Sequence, residues 1–326
     1  MVRARIVGTG HCLPEKVLTN VDLEGLMDTT DEWIRQRTGI LQRHIAAPNE
    51  AASDLAAKAC ARALENAGVA SEEVEFIHCA TATPDYFMPS AACLTQKKIG
   101  ARRAGASDLN AACSGFVYAL QAADALIRAG VHKTALVVGA EIMTARLDWT
   151  KRDTAVLFGD GAGAVVLKAE DGDRGVLSTY TAADGGAYDI LMVPAGGSAQ
   201  VITPENINEL NRGILMNGRE LYKRAVYAFG DAVEQALTRA SVGVEDINLF
   251  VPHQANGRML ETVANHIGLS PDKIYLNVDR VANTSAASIP IALDQANAEG
   301  RLKQGDLVLL AAFGAGLTWG SALVRW

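Results

Sequence analysis

Cys113 stands in a segment that is typical of a nucleophile. The segment reads Asn110-Ala111-Ala112-Cys113-Ser114-Gly115-Phe116, and the small side chains beside the cysteine would let a substrate carbonyl approach its sulfur. Apolar residues then recur at spacings of three and four over 116–127, which predicts a helix. The unpaired N–H groups of that helix's first turn would favour thiolate over thiol. From these residues alone, a buried structural cysteine is an equally good interpretation.

Two further residues are candidates to act with this thiol. His253 follows the apolar segment 248–252 and precedes a predicted helix over 258–266, so its imidazole is expected at the carboxyl end of a strand. Asn283 begins the string Asn283-Thr284-Ser285-Ala286-Ala287-Ser288. Taken singly, the histidine is explained as a core residue and the asparagine as a helix N-cap.

An internal repeat supplies the elements that would position all three residues. With a constant offset of 173 residues, 64–69 aligns with 237–242, 72–77 with 245–250, and the apolar strand 135–138 with 308–311. Helical and apolar extended segments alternate in both copies, which predicts two similar α/β halves, residues 1–172 and 173–326.

The same offset pairs Asn110 with Asn283 and Ala80 with His253. If the halves pack about a pseudo-twofold axis, equivalent loops converge on one central site. Cys113, His253 and Asn283 are therefore predicted to meet, although they are far apart in the sequence.

Composition narrows the function classes. A net charge of −7 without any Lys/Arg run disfavours nucleic-acid binding, and no stretch approaches the ~18 apolar residues of a membrane span. The five cysteines show no CxxC spacing and no nearby histidine cluster, so no zinc site or redox pair is indicated. The start of the chain lacks a long apolar signal segment, and we expect a cytoplasmic protein with reduced thiols.

The chain resembles β-ketoacyl-[acyl-carrier-protein] synthase III, a family of thiolase-like condensing enzymes. The HQAN string at 253–256 and the NTSAAS string at 283–288, together with a cysteine nucleophile, form a highly specific set. The resemblance implies the thiolase-like α/β fold, with two halves in five αβαβα layers. The first half would carry the cysteine, and the second the histidine and asparagine. Nearly the whole chain takes part, through segments 30–40, 110–116, 158–164, 251–256, 283–288 and 317–323.

The resemblance also implies a mechanism. Cys113 would take an acyl group from acyl-CoA as a thioester, which would then be attacked by the carbanion formed when malonyl-acyl-carrier protein loses carbon dioxide. His253 and Asn283 would donate hydrogen bonds to the malonyl thioester carbonyl. Ala315 lies in the loop whose backbone N–H holds the acyl oxyanion in the family, but glycine is usual there. Ala282 also replaces a common glycine, and we expect a milder change of loop shape there.

Substrate contacts follow from the same resemblance. Trp33 and Arg152 match the pair that sandwiches the adenine of CoA, Arg37 and Thr29 would lie near its phosphates, and Gly218 and Asn256 would line the pantetheine channel.

Met88 matches a residue that closes the acyl pocket of the partner subunit, which implies a homodimer. Because methionine is flexible and unbranched, starters beyond acetyl are expected. No metal or other cofactor is implied, since the CoA thioester is itself the substrate. Docking of the acidic carrier protein would use three basic residues, Lys223, Arg224 and Arg258.

Alternatives remain open at this point. A relative with the same fold but another acceptor, such as a secondary-metabolism condensing enzyme or acyltransferase, fits the same motifs. A catalytically silent acyl-CoA-binding protein would not need Cys113, His253 and Asn283. A cysteine hydrolase fits less well, because Asn283 in place of a carboxylate gives His253 no strong orienting partner.

Overall fold

The structure, a computed structural model, describes residues 2–326, which alternate between strands and helices. The strands are β1 (Val2–Cys12), β2 (Lys16–Thr19), β3 (Gln42–Ile45), β4 (Phe76–Ala80), β5 (Gly105–Leu109), β6 (Thr134–Ile142), β7 (Asp160–Asp171), β8 (Gly175–Ala183), β9 (Leu191–Met192), β10 (Leu215–Met216), β11 (Leu249–Pro252), β12 (Leu307–Gly314) and β13 (Thr318–Arg325). The helices are α1 (Asn20–Glu24), α2 (Asp31–Thr38), α3 (Ala52–Ala67), α4 (Ala91–Ile99), α5 (Gly115–Arg128), α6 (Arg152–Ala155), α7 (Gly218–Ala240), α8 (Gly257–Ile267), α9 (Val278–Val281) and α10 (Ser288–Ala298).

Two mixed sheets carry the fold. The first has the strand order β1-β7-β6-β4-β5, with β4 parallel to both β5 and β6 and the remaining pairs antiparallel. The second has the order β11-β12-β13-β8, in which only β11 and β12 are parallel. Two short antiparallel pairs, β2–β3 and β9–β10, lie outside these sheets.

The side chains of the sheets divide the core into layers. Alternation along β6 turns Val137 toward the buried cluster that contains α5 and α10, and Leu136 and Val138 toward the cluster that contains α3 and α4. Leu309 and Ala311 of β12 pack in a further cluster with α7 and α8. The order is therefore helices, sheet, helices, sheet, helices, which confirms the predicted five-layer arrangement.

The predicted duplication is visible in the order and spacing of the elements. Helix α3 corresponds to α7, β4 to β11, α5 to α10 and β6 to β12. Two pairs of 3-10 turns keep the offset of 173 exactly: Ser71–Glu73 with Val244–Asp246, and Ala112–Ser114 with Ser285–Ala287. The boundary between residues 172 and 173 stays a proposal. Along the chain, the last strand of the first sheet ends at Asp171, and the first strand of the second sheet begins at Gly175.

Two absences concern the part of the chain that the structure describes. No helix within residues 2–326 combines the length and apolar character needed to cross a bilayer. Over the same residues, no cluster of His, Cys, Asp or Glu side chains is arranged to hold a metal ion.

Candidate active site

Cys113 lies in a tight turn at the centre of the molecule. The turn Ala112–Ser114 leads directly into α5, and Ala112 adopts a positive φ of 47°. The Asn110 side chain holds this turn, since its Oδ1 accepts a hydrogen bond of 3.1 Å from the N–H of Ala112. Across from it, Gly314 ends β12 so close that a Cβ there would lie 2.7 Å from the Cys113 nitrogen. Glycine at 314 is therefore needed for the approach of the two halves.

His253 lies just beyond β11, with only 1% of its surface exposed. Its N–H donates to the carbonyl of Ala311 (2.8 Å), and its Nδ1 contacts the hydroxyl of Ser288 (2.6 Å). Because Nδ1 is engaged, Nε2 is the ring nitrogen available to a substrate. Burial lowers the pKa of His253 to about 3, so the imidazole is neutral at physiological pH.

Asn283 is held by both halves. Its N–H donates to the carbonyl of Leu157 (2.9 Å), and its own carbonyl accepts from the N–H of Gly159 (3.0 Å). Its side-chain Oδ1 accepts from the N–H of Ser285 (2.8 Å). This contact fixes the orientation of the amide and leaves the NH₂ group as the donor that other groups can use.

The three residues line one cavity of about 340 Å³, as the sequence predicted. Its wall also contains Gly218 and Asn256, where a pantetheine channel was expected, and at its edge Trp33 and Arg37. The remaining wall is mostly apolar, from Val156, Leu157, Phe158, Leu191, Met216, Leu221, Ala225, Met259 and Phe313. A long, flexible chain of CH₂ and amide groups suits such a wall.

Cys113 borders a second cavity of about 330 Å³ on its other side. This cavity contains Ala315, Ser285 and Thr83, together with Phe87, Met143 and Ile214. Cys113 thus lines both cavities.

The expected ionisation of Cys113 is wrong. Burial raises the pKa of the thiol to about 12, and the nearby Glu141 carboxylate adds to the increase. Desolvation therefore opposes the thiolate that the first turn of α5 was expected to favour.

The expected difficulty at Ala315 does not arise. The positive φ in this loop belongs to Gly316 (134°), so Ala315 is not forced into a conformation that favours glycine. Ala282, in contrast, does occupy such a conformation, with φ 61° and ψ −164°. The loop before Asn283 keeps its shape at some cost in backbone strain.

The predicted CoA contacts are only partly assembled. The guanidinium carbon of Arg152 lies 4.8 Å, and that of Arg37 5.5 Å, from the centre of a Trp33 ring. A stacked adenine needs about two contact distances, roughly 7 Å, so Arg152 must move to form the sandwich. Thr29 is buried, and its hydroxyl oxygen has no hydrogen-bond partner among residues 2–326.

The remaining surface residues predicted from the sequence lie in different surroundings. Arg224 is paired with Asp184 (3.0 Å) and Glu220 (2.9 Å), and its role as a docking cation stays a prediction. Within residues 2–326, Lys223 and Arg258 form no ion pair. Met88 is 83% exposed and lies outside both cavities of its own chain, whereas its neighbour Phe87 lines the second.

Sequence reasoning missed several groups that complete the site. Ser288 contacts the imidazole, Ser285 lines the second cavity together with Cys113, and Glu141 accepts a hydrogen bond from Ser285. Both serines lie in the string that was singled out for Asn283. Glu141 lies near the end of β6, directly after the run of apolar residues and glycine at 135–140, and a charge in that setting was the available signal.

Comparisons with known proteins agree with this geometry. The family model for 3-oxoacyl-[acyl-carrier-protein (ACP)] synthase III matches residues 107–185, and the model of its C-terminal part matches residues 237–326. A β-ketoacyl-[acyl-carrier-protein] synthase III of Xanthomonas campestris is 49% identical over 325 residues, which cover 100% of this chain and 99% of that protein.

Solved structures show the same relationship. The 3-oxoacyl-[acyl-carrier-protein] synthase III of Aquifex aeolicus superposes with a TM-score of 0.92 at 43% identity, covering 99% of this chain and 100% of that one. A priming β-ketosynthase from the R1128 polyketide pathway also reaches 0.92, at 31% identity, over 98% and 95% of the two chains. The predicted thiolase-like fold is confirmed. The chain belongs to the β-ketoacyl-[acyl-carrier-protein] synthase III family of condensing enzymes.

Proposed function

We propose that this protein condenses an acyl-CoA starter with malonyl-acyl-carrier protein to give 3-oxoacyl-acyl-carrier protein, the first elongation of a fatty acid. The observation that carries the proposal is the position of Cys113 between two cavities, one of which also contains His253 and Asn283. The names of the family and of its relatives support the same reaction.

In the first half-reaction, the Cys113 sulfur attacks the thioester carbonyl of acyl-CoA and CoA leaves. The acyl chain occupies the second cavity, and the pantetheine arm lies in the first, beside Gly218 and Asn256. The N–H groups of Cys113 and Ala315 are the proposed donors to the oxyanion. Division into two steps replaces one difficult reaction by two easier ones.

In the second half-reaction, malonyl-acyl-carrier protein takes the place of CoA. Loss of carbon dioxide places negative charge on the malonyl thioester oxygen, and His253 Nε2 and the Asn283 NH₂ donate to it. The free amide of Asn283 supports its role as a donor. The neutral imidazole donates from Nε2 in the tautomer whose Nδ1 accepts a hydrogen bond from the Ser288 hydroxyl. Each such donor is typically worth about 3 kcal/mol in the transition state. The carbanion then attacks the acyl carbon, and Cys113 leaves as thiolate.

Partner contacts complete the proposal. Tyr86, Phe87 and Met88 are 62%, 85% and 83% exposed, and such an apolar group supports a homodimer in which Met88 closes the partner's acyl pocket. Lys223 and Arg258 are the proposed contacts for the acidic carrier protein, and Trp33, Arg37, Arg152 and Thr29 those for CoA. We propose no cofactor besides the CoA thioester, and a cytoplasmic location in keeping with five free cysteines.

Intact-mass measurement after mixing with acetyl-CoA, and separately with octanoyl-CoA, tests the first half-reaction. We expect an acyl adduct on the wild type and on Cys93→Ala, which removes the exposed cysteine, but none on Cys113→Ala. Loading of octanoyl groups would support the wider starter range ascribed to Met88; acetyl alone would refute it. No adduct from either CoA would refute acyl-CoA as the donor.

A second candidate is a priming condensing enzyme of secondary metabolism. The likeness to the R1128 polyketide enzyme favours it, since the fold superposes equally well at lower identity. Product analysis with matched concentrations of fatty-acid and polyketide malonyl-carrier proteins separates the two. A preference for the polyketide carrier would replace fatty-acid initiation as the assigned function.

A further inference from the structure

Arg43 is a charged side chain that is buried without a counterion. It lies in β3, has 0% of its surface exposed, and forms no ion pair within residues 2–326. Burial lowers the pKa of its guanidinium to about 10, so the group keeps its charge at physiological pH. Removing a charge from water is costly unless other groups solvate it, so the acceptors around Arg43 indicate what the residue does.

Three oxygen atoms from separate segments accept hydrogen bonds from this guanidinium. Nη2 donates to the carbonyl of Val156 (2.9 Å), and Nη1 donates to Asn20 Oδ1 (3.0 Å) and to the carbonyl of Leu18 (3.2 Å). Nε has no hydrogen-bond partner in the same part of the chain. Because a guanidinium is planar and its N–H groups point in fixed directions, it sets the positions of these segments relative to one another.

Asn20 extends the contact to helix α2. Its side chain is buried, and since Oδ1 faces Arg43, which has only donors, its NH₂ group points the other way. Nδ2 donates to Asp31 Oδ1 (2.9 Å) and to the carbonyl of Ile40 (2.8 Å). Asp31 begins α2, and Ile40 follows the glycine that caps its end. One amide therefore ties both ends of the helix to Arg43.

Val156 extends the contact to helix α6. It is the residue that directly follows this helix of four residues. A helix so short has little stability of its own, so its position depends on contacts such as the one to Arg43. The chain then passes close to the arginine, because a Cβ at Gly159 would lie 3.1 Å from the Arg43 Cβ.

We propose that Arg43 is a positioning residue that holds α2 and α6 at a fixed separation for the binding of CoA. Helix α2 carries Trp33 and Arg37, and α6 carries Arg152. The inference rests on the proposed function, which places CoA among these side chains. Arg43 is not part of the wall of either cavity and acts through the two helices, as side chains that bind a ligand need support from behind.

Apolar packing alone would not fix this arrangement. Ile34 of α2 and Val156 share a buried apolar cluster, against which Trp33 packs. Such contacts have no preferred direction, so they hold the two helices together without fixing their separation. They also help to keep the fold intact when Arg43 is replaced.

Two starter thioesters separate this role from a general loss of structure. Acetyl-CoA and acetyl-pantetheine present the same carbonyl and the same arm to Cys113, but acetyl-pantetheine lacks the adenine nucleotide that α2 and α6 are proposed to hold. Quenched-flow mass spectrometry over a range of concentrations gives, for each thioester, the half-saturating concentration and the limiting rate of Cys113 acylation.

We expect Arg43→Met to raise the half-saturating concentration of acetyl-CoA about tenfold with the limiting rate nearly unchanged, because stacking and cation–π contacts to adenine are misaligned. Acetyl-pantetheine should respond by about twofold at most. Arg43→Lys keeps the charge but not the planar group and should fall between. Arg62→Met is the control and should match the wild type, since it removes a guanidinium from the carbonyl of His11 (2.6 Å).

Asn20→Asp covers the case in which Arg43→Met does not fold, which circular dichroism and urea unfolding would reveal. Aspartate has nearly the same shape and still accepts from Arg43, but its second oxygen cannot donate to Asp31 and Ile40. Only the link to α2 is broken, and we expect the same selective loss with acetyl-CoA.

Two results would overturn the inference. An equal loss with both thioesters would show that Arg43 only stabilises the fold. Unchanged saturation by acetyl-CoA in Asn20→Asp and in folded Arg43→Met would show that the arginine does not set the positions of the helices. Failure of the wild type to load either thioester would refute the proposed function instead.

Discussion

The turns before α5 and α10 have similar backbone conformations but carry different side chains. In each, an asparagine accepts a hydrogen bond from the N–H two residues later, at 3.1 Å for Asn110 and 2.8 Å for Asn283. The residue that donates this N–H is Ala112 in the first turn, with φ 47°, and Ser285 in the second, with φ 50°. The position after it is Cys113 in the first half and Ala286 in the second. The same backbone turn therefore presents a thiol in one half and a methyl group in the other.

The strands beside these turns are divided in the same way. Position 80 of the first half is alanine, whereas its equivalent in the second is His253. Near the end of β6 stands Glu141, and its equivalent in β12 is Gly314, which leaves room for Cys113. The two halves repeat one scaffold, and each carries only part of the candidate site. A site at the junction can be complete only when both halves are present.

Removing the donors of the second half should have the largest effect. We expect His253→Ala and Asn283→Ala each to slow malonyl decarboxylation by about 10²–10³, because a preorganised donor to the developing oxyanion is lost. Acyl loading onto Cys113 should continue in both variants. Release of labelled carbon dioxide from malonyl-acyl-carrier protein measures the first rate, and mass spectrometry the second.

Asn110→Ala removes the same atoms from the equivalent turn and serves as the control. It should impair loading, because it loosens the turn that holds Cys113, and spare decarboxylation. Equal effects of Asn110→Ala and Asn283→Ala on both rates would contradict the division of labour between the halves.

The free energy of unfolding should depend on pH through His253, whose equivalent in the first half, Ala80, does not titrate. Burial lowers the pKa of His253 from 6.5 to about 3, so below pH 6.5 the unfolded chain binds a proton that the folded chain does not. Stability is then lost as pH falls from 6.5 toward 3. At pH 5 the loss is roughly 2 kcal/mol, at 1.36 kcal/mol for each pH unit.

Urea unfolding at pH 7.5 and 5 of the wild type and of His253→Asn measures this difference. His78, whose pKa burial lowers to about 4, contributes equally to both proteins and cancels. An identical pH dependence in the two proteins would show that His253 titrates normally when folded.

Trp33 tests a feature that only the first half has. Helix α2 carries Trp33 and Arg37, whereas 173 residues later the segment 204–211 contains no helix. We expect Trp33→Ala to raise the KM for acyl-CoA about tenfold with kcat nearly unchanged, since ring stacking and cation–π contacts to adenine are lost. Trp33→Phe should recover most of the affinity. A fall in kcat without a change in KM would place Trp33 outside the CoA site.

The repeat made much of the fold, and the convergence of Cys113, His253 and Asn283 on one cavity, predictable. Elements with a fixed offset identified His253 as the equivalent of Ala80 and predicted its position at a strand end, and the string around Asn283 marked its turn. The helix predicted over 258–266 is α8, which starts one residue earlier and ends one residue later.

The features that the sequence did not predict depend on contacts between distant residues, which no local pattern encodes. The pKa of Cys113 is set by burial between two sheets and by Glu141, which lies 28 residues away in the sequence. The ion pair of Arg224 with Asp184, which joins residues 40 apart in the sequence, was likewise not foreseen. The conformation of Ala315 depends on where the loop places its positive φ, which falls one residue later, at Gly316.

Ala282 offers the smallest test, and it concerns backbone alone. Its equivalent, Leu109, lies in the regular strand β5, whereas Ala282 has φ 61° and ψ −164°, a region used almost only by glycine. Strain of this kind costs about 1–3 kcal/mol, and the extra freedom of glycine in the unfolded chain costs about 0.5–1 kcal/mol. We therefore expect Ala282→Gly to stabilise the protein by about 1 kcal/mol, measured by urea unfolding.

Ala70→Gly provides the matched comparison, because Ala70 is exposed and has an ordinary φ of −73°. It should lose about 0.5–1 kcal/mol, since it gains unfolded-state entropy without relieving strain. The opposite signs of the two substitutions are the decisive result. If both destabilise, the loop before Asn283 accommodates alanine without strain, and the second half holds its catalytic turn as easily as the first.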